Sequence, residues 1–120
     1  MALQNLTDEN FKKEVKESGK ISLVQFSAAW CSPCKMLKPI IEEISNEMSD
    51  KLNFFYMDID KSPSTPTLFA IRGVPTLILF DKNGEIKNTK VGATTKSNVQ
   101  EFIKSNIYLH FFKRLFLFLL

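Results

Sequence analysis

Phe26-Ser27-Ala28-Ala29-Trp30-Cys31-Ser32-Pro33-Cys34-Lys35 decides the reading of this 120-residue chain. Upstream, Ile21 to Phe26 is apolar except for Ser22 and Gln25 and follows the break Gly19-Lys20, the pattern of a buried strand. Downstream, Met36, Leu37, Ile40, Ile41, Ile44 and Met48 recur every three or four residues, which predicts a helix of about five turns with one buried face, bent at Pro39. The two cysteines therefore sit where a strand hands over to a helix N-terminus. Unpaired backbone N–H groups and the positive end of the helix dipole favour a thiolate there. A bridge between residues three apart closes almost no loop, so the pair is read as chemistry and not as a staple.

Working outward, Thr7 to Ser18 predicts a short capped helix carrying Phe11 and Val15, and Ala2 to Leu6 is a candidate first strand. Leu52 to Ile59 predicts a strand, Asp60 to Pro66 a loop, and Thr67 to Ile71 a short helix. Val74 to Phe80 and Ile86 to Val91 flank Asp81-Lys82-Asn83-Gly84, where Asn-Gly supplies the positive φ angles of a tight hairpin. Thr95 to Ile103 carries Val99, Phe102 and Ile103 on one helical face. This alternation predicts an α/β fold, a mixed sheet covered on both faces.

Composition narrows the function classes. With 44% hydrophobic residues the chain can build one core. A formal charge of +3 is spread over 16 basic and 13 acidic residues without a like-charge run, which predicts no nucleic-acid partner. The first ten residues hold no basic n-region, so no export signal is expected. A closed zinc site needs four ligands, whereas the chain offers two cysteines and the distant His110; no metal is expected.

Phe26 through Lys35, Arg72-Gly73-Val74-Pro75-Thr76, Lys82-Asn83-Gly84 and Lys90-Val91-Gly92-Ala93 resemble, in order and spacing, the thioredoxin family, over about Leu3 to Ile107. The resemblance implies a thioredoxin fold, a central sheet of four to five strands flanked by about four helices. It implies a thiol-disulfide oxidoreductase, a protein-disulfide reductase whose Cys31–Cys34 disulfide is the redox centre and which binds no other cofactor. Cys31 would be the nucleophile and Cys34 the resolving thiol. Pro33 would stiffen the first turn. Val74-Pro75 would be cis, leaving the Val74 backbone free to pair with an extended substrate. Gly92 would let that substrate approach, although turn-making is a sufficient reason for it. Trp30 is read either as binding rim or as a packing aromatic, and Lys35 either as local charge or as a solvated lysine.

Four positions depart from the family. Ser32 replaces a common glycine, and its hydroxyl either donates to Cys31 or faces water. Ser27 stands where tryptophan is frequent. Gln25 stands where a buried aspartate usually assists proton transfer at the resolving cysteine, and Tyr56 replaces a lysine commonly paired with it. Together these last two read as a buried charge pair exchanged for a neutral polar pair. A slower reductase with a simpler pH profile is expected.

The resemblance also implies a flavin-dependent thioredoxin reductase drawing on NADPH as electron donor, protein disulfides as substrates, a cytoplasmic location and a monomer. The division expected is a domain over 1–107 and an apolar extension over 108–120, helical or poorly ordered. From Ile107 to Leu120 eleven of fourteen side chains are apolar or aromatic, too few to span a bilayer and interrupted by Lys113-Arg114. Such a segment suits weak contact with a membrane surface or a partner, or docking on any apolar surface. The rival to catalysis is a non-catalytic binding module on the same fold.

Overall fold

Strand β2, Ser22–Ser27, is buried along its whole length because it lies at the centre of a five-stranded sheet. The computed structural model describes residues 2–119, and side chains over 2–107. The strand order is β1-β3-β2-β4-β5, with β1 Leu3–Asn5, β3 Asn53–Asp58, β4 Thr76–Phe80 and β5 Ile86–Val91. β1 and β2 run parallel to β3, whereas β4 is antiparallel to both β2 and β5.

Side-chain alternation along the strands sorts the core into two layers. Leu23, Phe54, Leu77 and Leu79 face helices α1, Ser32–Met48, and α3, Lys96–Leu119, and pack with Leu37, Ile41, Ile44, Val99 and Ile103. Val24, Phe26, Phe55, Met57, Ile78 and Phe80 face the other way, against Leu6, Phe11 and Val15. Lys96 clamps α3 to α1 through Glu43 at 2.7 Å and Glu47 at 2.8 Å.

Several sequence expectations need correction. The first helix is one turn of π-type backbone, Lys12–Lys16, closed by Glu17 N–H on the Lys12 carbonyl at 3.0 Å. It is preceded by a turn in which Thr7 and Asn10 exchange side-chain to backbone hydrogen bonds of 2.7 and 3.3 Å. Met36, assigned above to the buried face of α1, is 75% exposed. The buried set is Cys34, Leu37, Ile41, Ile44, Ser45 and Met48, and a residue one step before Leu37 lies about 100° away from that stripe. The hairpin tip holds one positive φ, at Gly84 (+79°), and not two. Asp81 accounts for this, because its carboxylate accepts from the N–H groups of Asn83 and Glu85 and shapes a longer turn, with a register shift next to Phe80.

Helix α2 occupies Ser64–Leu68, not Thr67–Ile71. Its prolines fall at the N-cap and in the first turn, where a missing N–H leaves no hydrogen bond unmade. The cap comes from far away in sequence: the Asp8 carboxylate accepts from Ser64 N–H at 3.0 Å and Thr65 N–H at 2.8 Å. Burial raises the Asp8 pKa, but the hydrogen bonds from Thr65 and Ser64 together outweigh it and hold the carboxyl below its ordinary value. Its contribution is therefore complete above the ordinary carboxylate range and is lost as pH falls through the folded-state value. Asp8→Ala is expected to cost roughly 1 kcal/mol at neutral pH, by analogy with lost helix caps. Denaturant titrations of both proteins should show the difference shrinking in acid; a constant difference from neutral pH to pH 2 would contradict it.

Candidate redox site

The chain leaves β2 through Ala28, wholly buried, and turns at Trp30 so that Cys31 becomes the N-cap of α1 in extended backbone, φ −98° and ψ 106°. Cys31 and Cys34 form a disulfide with a Cα–Cα distance of 5.3 Å, inside the range such bridges occupy. The Cys34 backbone N–H donates to Cys31 Sγ at 3.2 Å, so one of the helix's orphan donors is aimed at that sulfur. Cys31 is 5% exposed and Cys34 is fully buried. Helix geometry makes this asymmetry, since the N-cap stands at the open end while Cys34 belongs to the stripe that faces the sheet.

Two other segments lie against the pair, and a third is joined to them through Pro75. Val74 brings its carbonyl oxygen to 3.7 Å from Cys31 Sγ, and the Val74-Pro75 peptide bond is cis, as the resemblance implies. Gly92, with φ +94°, donates its N–H to the Pro75 carbonyl at 2.9 Å and finds open space where a Cβ would stand. Ile59 and Val74 pack on the cluster formed by Ala28 and the two cysteines. Trp30 is 69% exposed and its indole N–H donates to Asp60 Oδ2 at 2.9 Å, so it is a surface residue held by a polar tether.

Ser32, Pro33 and Lys35 are exposed on the first turn of the helix. Gln25 is fully buried under α1, donating from Nε2 to the Cys34 carbonyl at 3.2 Å. Tyr56 stands directly across from Gln25 in the sheet but is only half-buried, with the Lys38 ammonium 4.4 Å above its ring. Gln25 and Tyr56 are therefore neighbours without being a hydrogen-bonded pair. Asp60 and Ile59 are site residues that the sequence pattern does not mark. They reach it through a chain return that local periodicity does not encode.

A fully buried cysteine and an N-cap cysteine exposed over 5% of its surface, joined at a helix N-terminus and flanked by a cis-proline turn, define a thiol-disulfide oxidoreductase whose own disulfide carries the electrons. The family model described as Thioredoxin matches residues 2–105. Thioredoxin of Rickettsia prowazekii (strain Madrid E) is 49% identical over 105 residues, covering 88% of this chain and 99% of that protein. Thioredoxin of Rickettsia felis (strain ATCC VR-1525 / URRWXCal2) is 50% identical over 103 residues, 86% of this chain and 97% of that protein. Thioredoxin of Buchnera aphidicola subsp. Acyrthosiphon pisum (strain APS) is 47% identical, with 85% and 94% covered. The chain belongs to the thioredoxin family. It is a protein-disulfide reductase of thioredoxin type, and disulfides are its partners in reaction.

Proposed function

We propose that Cys31 is the attacking thiolate and Cys34 the resolving thiol of a reductase cycle. The observation that carries this reading is the Cys34 N–H held 3.2 Å from Cys31 Sγ, because it stabilises charge on the N-cap sulfur and not on the fully buried one. Cys31 attacks a substrate disulfide, forming a mixed disulfide and releasing one substrate thiolate. Cys34 then attacks Cys31 Sγ, re-forming the internal bridge and releasing the second. Val74 offers its backbone to an extended substrate, Gly92 leaves room for it, and Trp30 supplies apolar contact at the rim. Pro33 stiffens the first turn, and Lys35 and Ser32 lie at its solvent side. Electrons return from a flavin-dependent thioredoxin reductase using NADPH. The protein acts in the cytoplasm as a monomer.

The reduction potential tests the direction of the reaction. Thioredoxins are the reference case at about −270 mV, and equilibration with glutathione is expected to place this protein near that value; a result near about −120 mV would make it an oxidant.

With glutamine at position 25, the Cys34 proton leaves to water or to the departing thiolate. Reduction rates are expected to be lower than those of Gln25→Asp near neutral pH, and the native pH profile to lack a second ionisation. Identical rates and profiles for the two proteins would remove this assignment.

Residues 1–107 form the catalytic domain, and the apolar segment 108–120 is a contact element for a membrane surface or a partner. The backbone of α3 is continuous to Leu119, while the side chains of 108–120 lie outside the described residues. No described helix is long and apolar enough to cross a membrane. Liposome co-sedimentation should retain the full chain more than a version ending at Ile107; equal partitioning would exclude a membrane role.

A further inference from the structure

Gln25 has two polar ends, and only one is satisfied. Its Nε2 is anchored on the Cys34 carbonyl, but its Oε1, buried with the rest of the side chain, has no hydrogen-bond partner among the described residues. An unpaired buried acceptor is costly, so its persistence at the redox pair calls for a reason. In the first helix turn the N–H groups of Cys34 and Lys35 are already committed, to Cys31 Sγ and to the Cys31 carbonyl at 3.2 Å. Pro33 has none. Across the sheet, Leu77 is apolar, and half-buried Tyr56 lies under Lys38. Ser27 Oγ, the other unpartnered polar atom at this end of β2, carries its hydrogen in both redox states and cannot distinguish them.

One donor is missing from the disulfide form and is created by reduction. Two electrons and two protons from a dithiol reductant convert the Cys31–Cys34 bridge to two thiols. Cys31 then gives up its proton to become the thiolate, and Cys34 retains a new S–H. We propose that Gln25 is a positioning residue whose Oε1 accepts this Cys34 S–H, so that the side chain is half-satisfied in the disulfide and fully satisfied in the dithiol. Gln25 thereby biases the couple toward the reduced form and holds the resolving thiol in place. The inference rests on Cys34 being the protonated, resolving member of the pair.

The test compares native protein with Gln25→Met, which keeps the length of the side chain and removes both polar ends. Equilibration with glutathione is expected to show the variant's disulfide favoured roughly tenfold more than the native one, a shift of about 30 mV to more negative potential. Denaturant titration should show the oxidised variant no less stable than oxidised native protein and the reduced variant less stable than reduced native protein. A purely structural glutamine would alter both forms equally and leave the potential unmoved, which would overturn the proposal.

A second measurement does not depend on that variant folding. In Cys31→Ser, where Cys34 is the sole thiol, the infrared S–H stretch is expected at the low wavenumber of a hydrogen-bonded thiol. A band at the position of a free thiol would refute the role of Gln25 while leaving Cys34 as the resolving thiol. The absence of any S–H band at neutral pH would instead overturn the assignment of Cys34 as the protonated partner.

Discussion

Cys34→Ser is expected to lower multiple-turnover disulfide reduction by on the order of 10³-fold or more while leaving the first chemical step intact. The attack by Cys31 needs only its own thiolate, the Cys34 backbone N–H and an accessible substrate sulfur. Serine keeps that N–H, and a hydroxyl will not displace a disulfide at neutral pH. The variant should therefore accumulate as a covalent adduct with its protein substrate, visible on a non-reducing gel and released by a small dithiol. Cys31→Ser should lose turnover to the same extent without accumulating any adduct, because the remaining sulfur is fully buried. Equal trapping by both variants would show that the two sulfurs are equally accessible, against the asymmetry imposed by the N-cap position of Cys31. Full function of the double variant would instead favour a non-catalytic binding module.

The parts of this molecule legible in its sequence are those whose cause is local. Ile21 to Phe26 predicts the central strand because apolar residues fall on both of its faces, with only Ser22 and Gln25 between them, and β2 begins one residue later and ends one residue later. Ile86 to Val91 matches β5 to the residue, since Asp81 to Gly84 punctuates its start and Gly92 its end. The cysteine pair was legible as a site because three residues on a helix put both sulfurs on one side. What escaped depends on chain segments meeting from far apart. Asp8 sits more than fifty residues from the helix it caps, so local pattern alone places α2 too late in the chain. Trp30 is tethered by Asp60, thirty residues on. Gln25 was readable as a departure from the family, yet the unpaired state of its Oε1 depends on which donors the first turn of α1 has already used.

Phe80→Ala is expected to cost about 3–5 kcal/mol, a large share of the 5–15 kcal/mol by which such domains are folded. Phe80 is fully buried at the end of β4, and its ring meets Phe69 at 5.1 Å and Phe11 at 5.6 Å between centroids, both edge-on. Phe11 and Phe69 also touch each other at 5.4 Å, so the three rings form a closed contact. Truncating Phe80 removes its own burial and two edge contacts, and the two surviving rings lie on the turn after β1 and the segment after α2, which are free to shift into the cavity. Phe69 lies five residues before Val74, so a shift there moves the loop that faces Cys31. The variant should lose stability equally in its oxidised and reduced forms, and its reduction rate should fall on warming before global unfolding is complete. Phe80→Leu, which refills most of the volume, should recover more than half of the stability. A loss for Phe80→Ala below about 1 kcal/mol in denaturant titration would mean that Phe11 and Phe69 close the gap without strain, and that this layer does not fix the position of the Val74 loop.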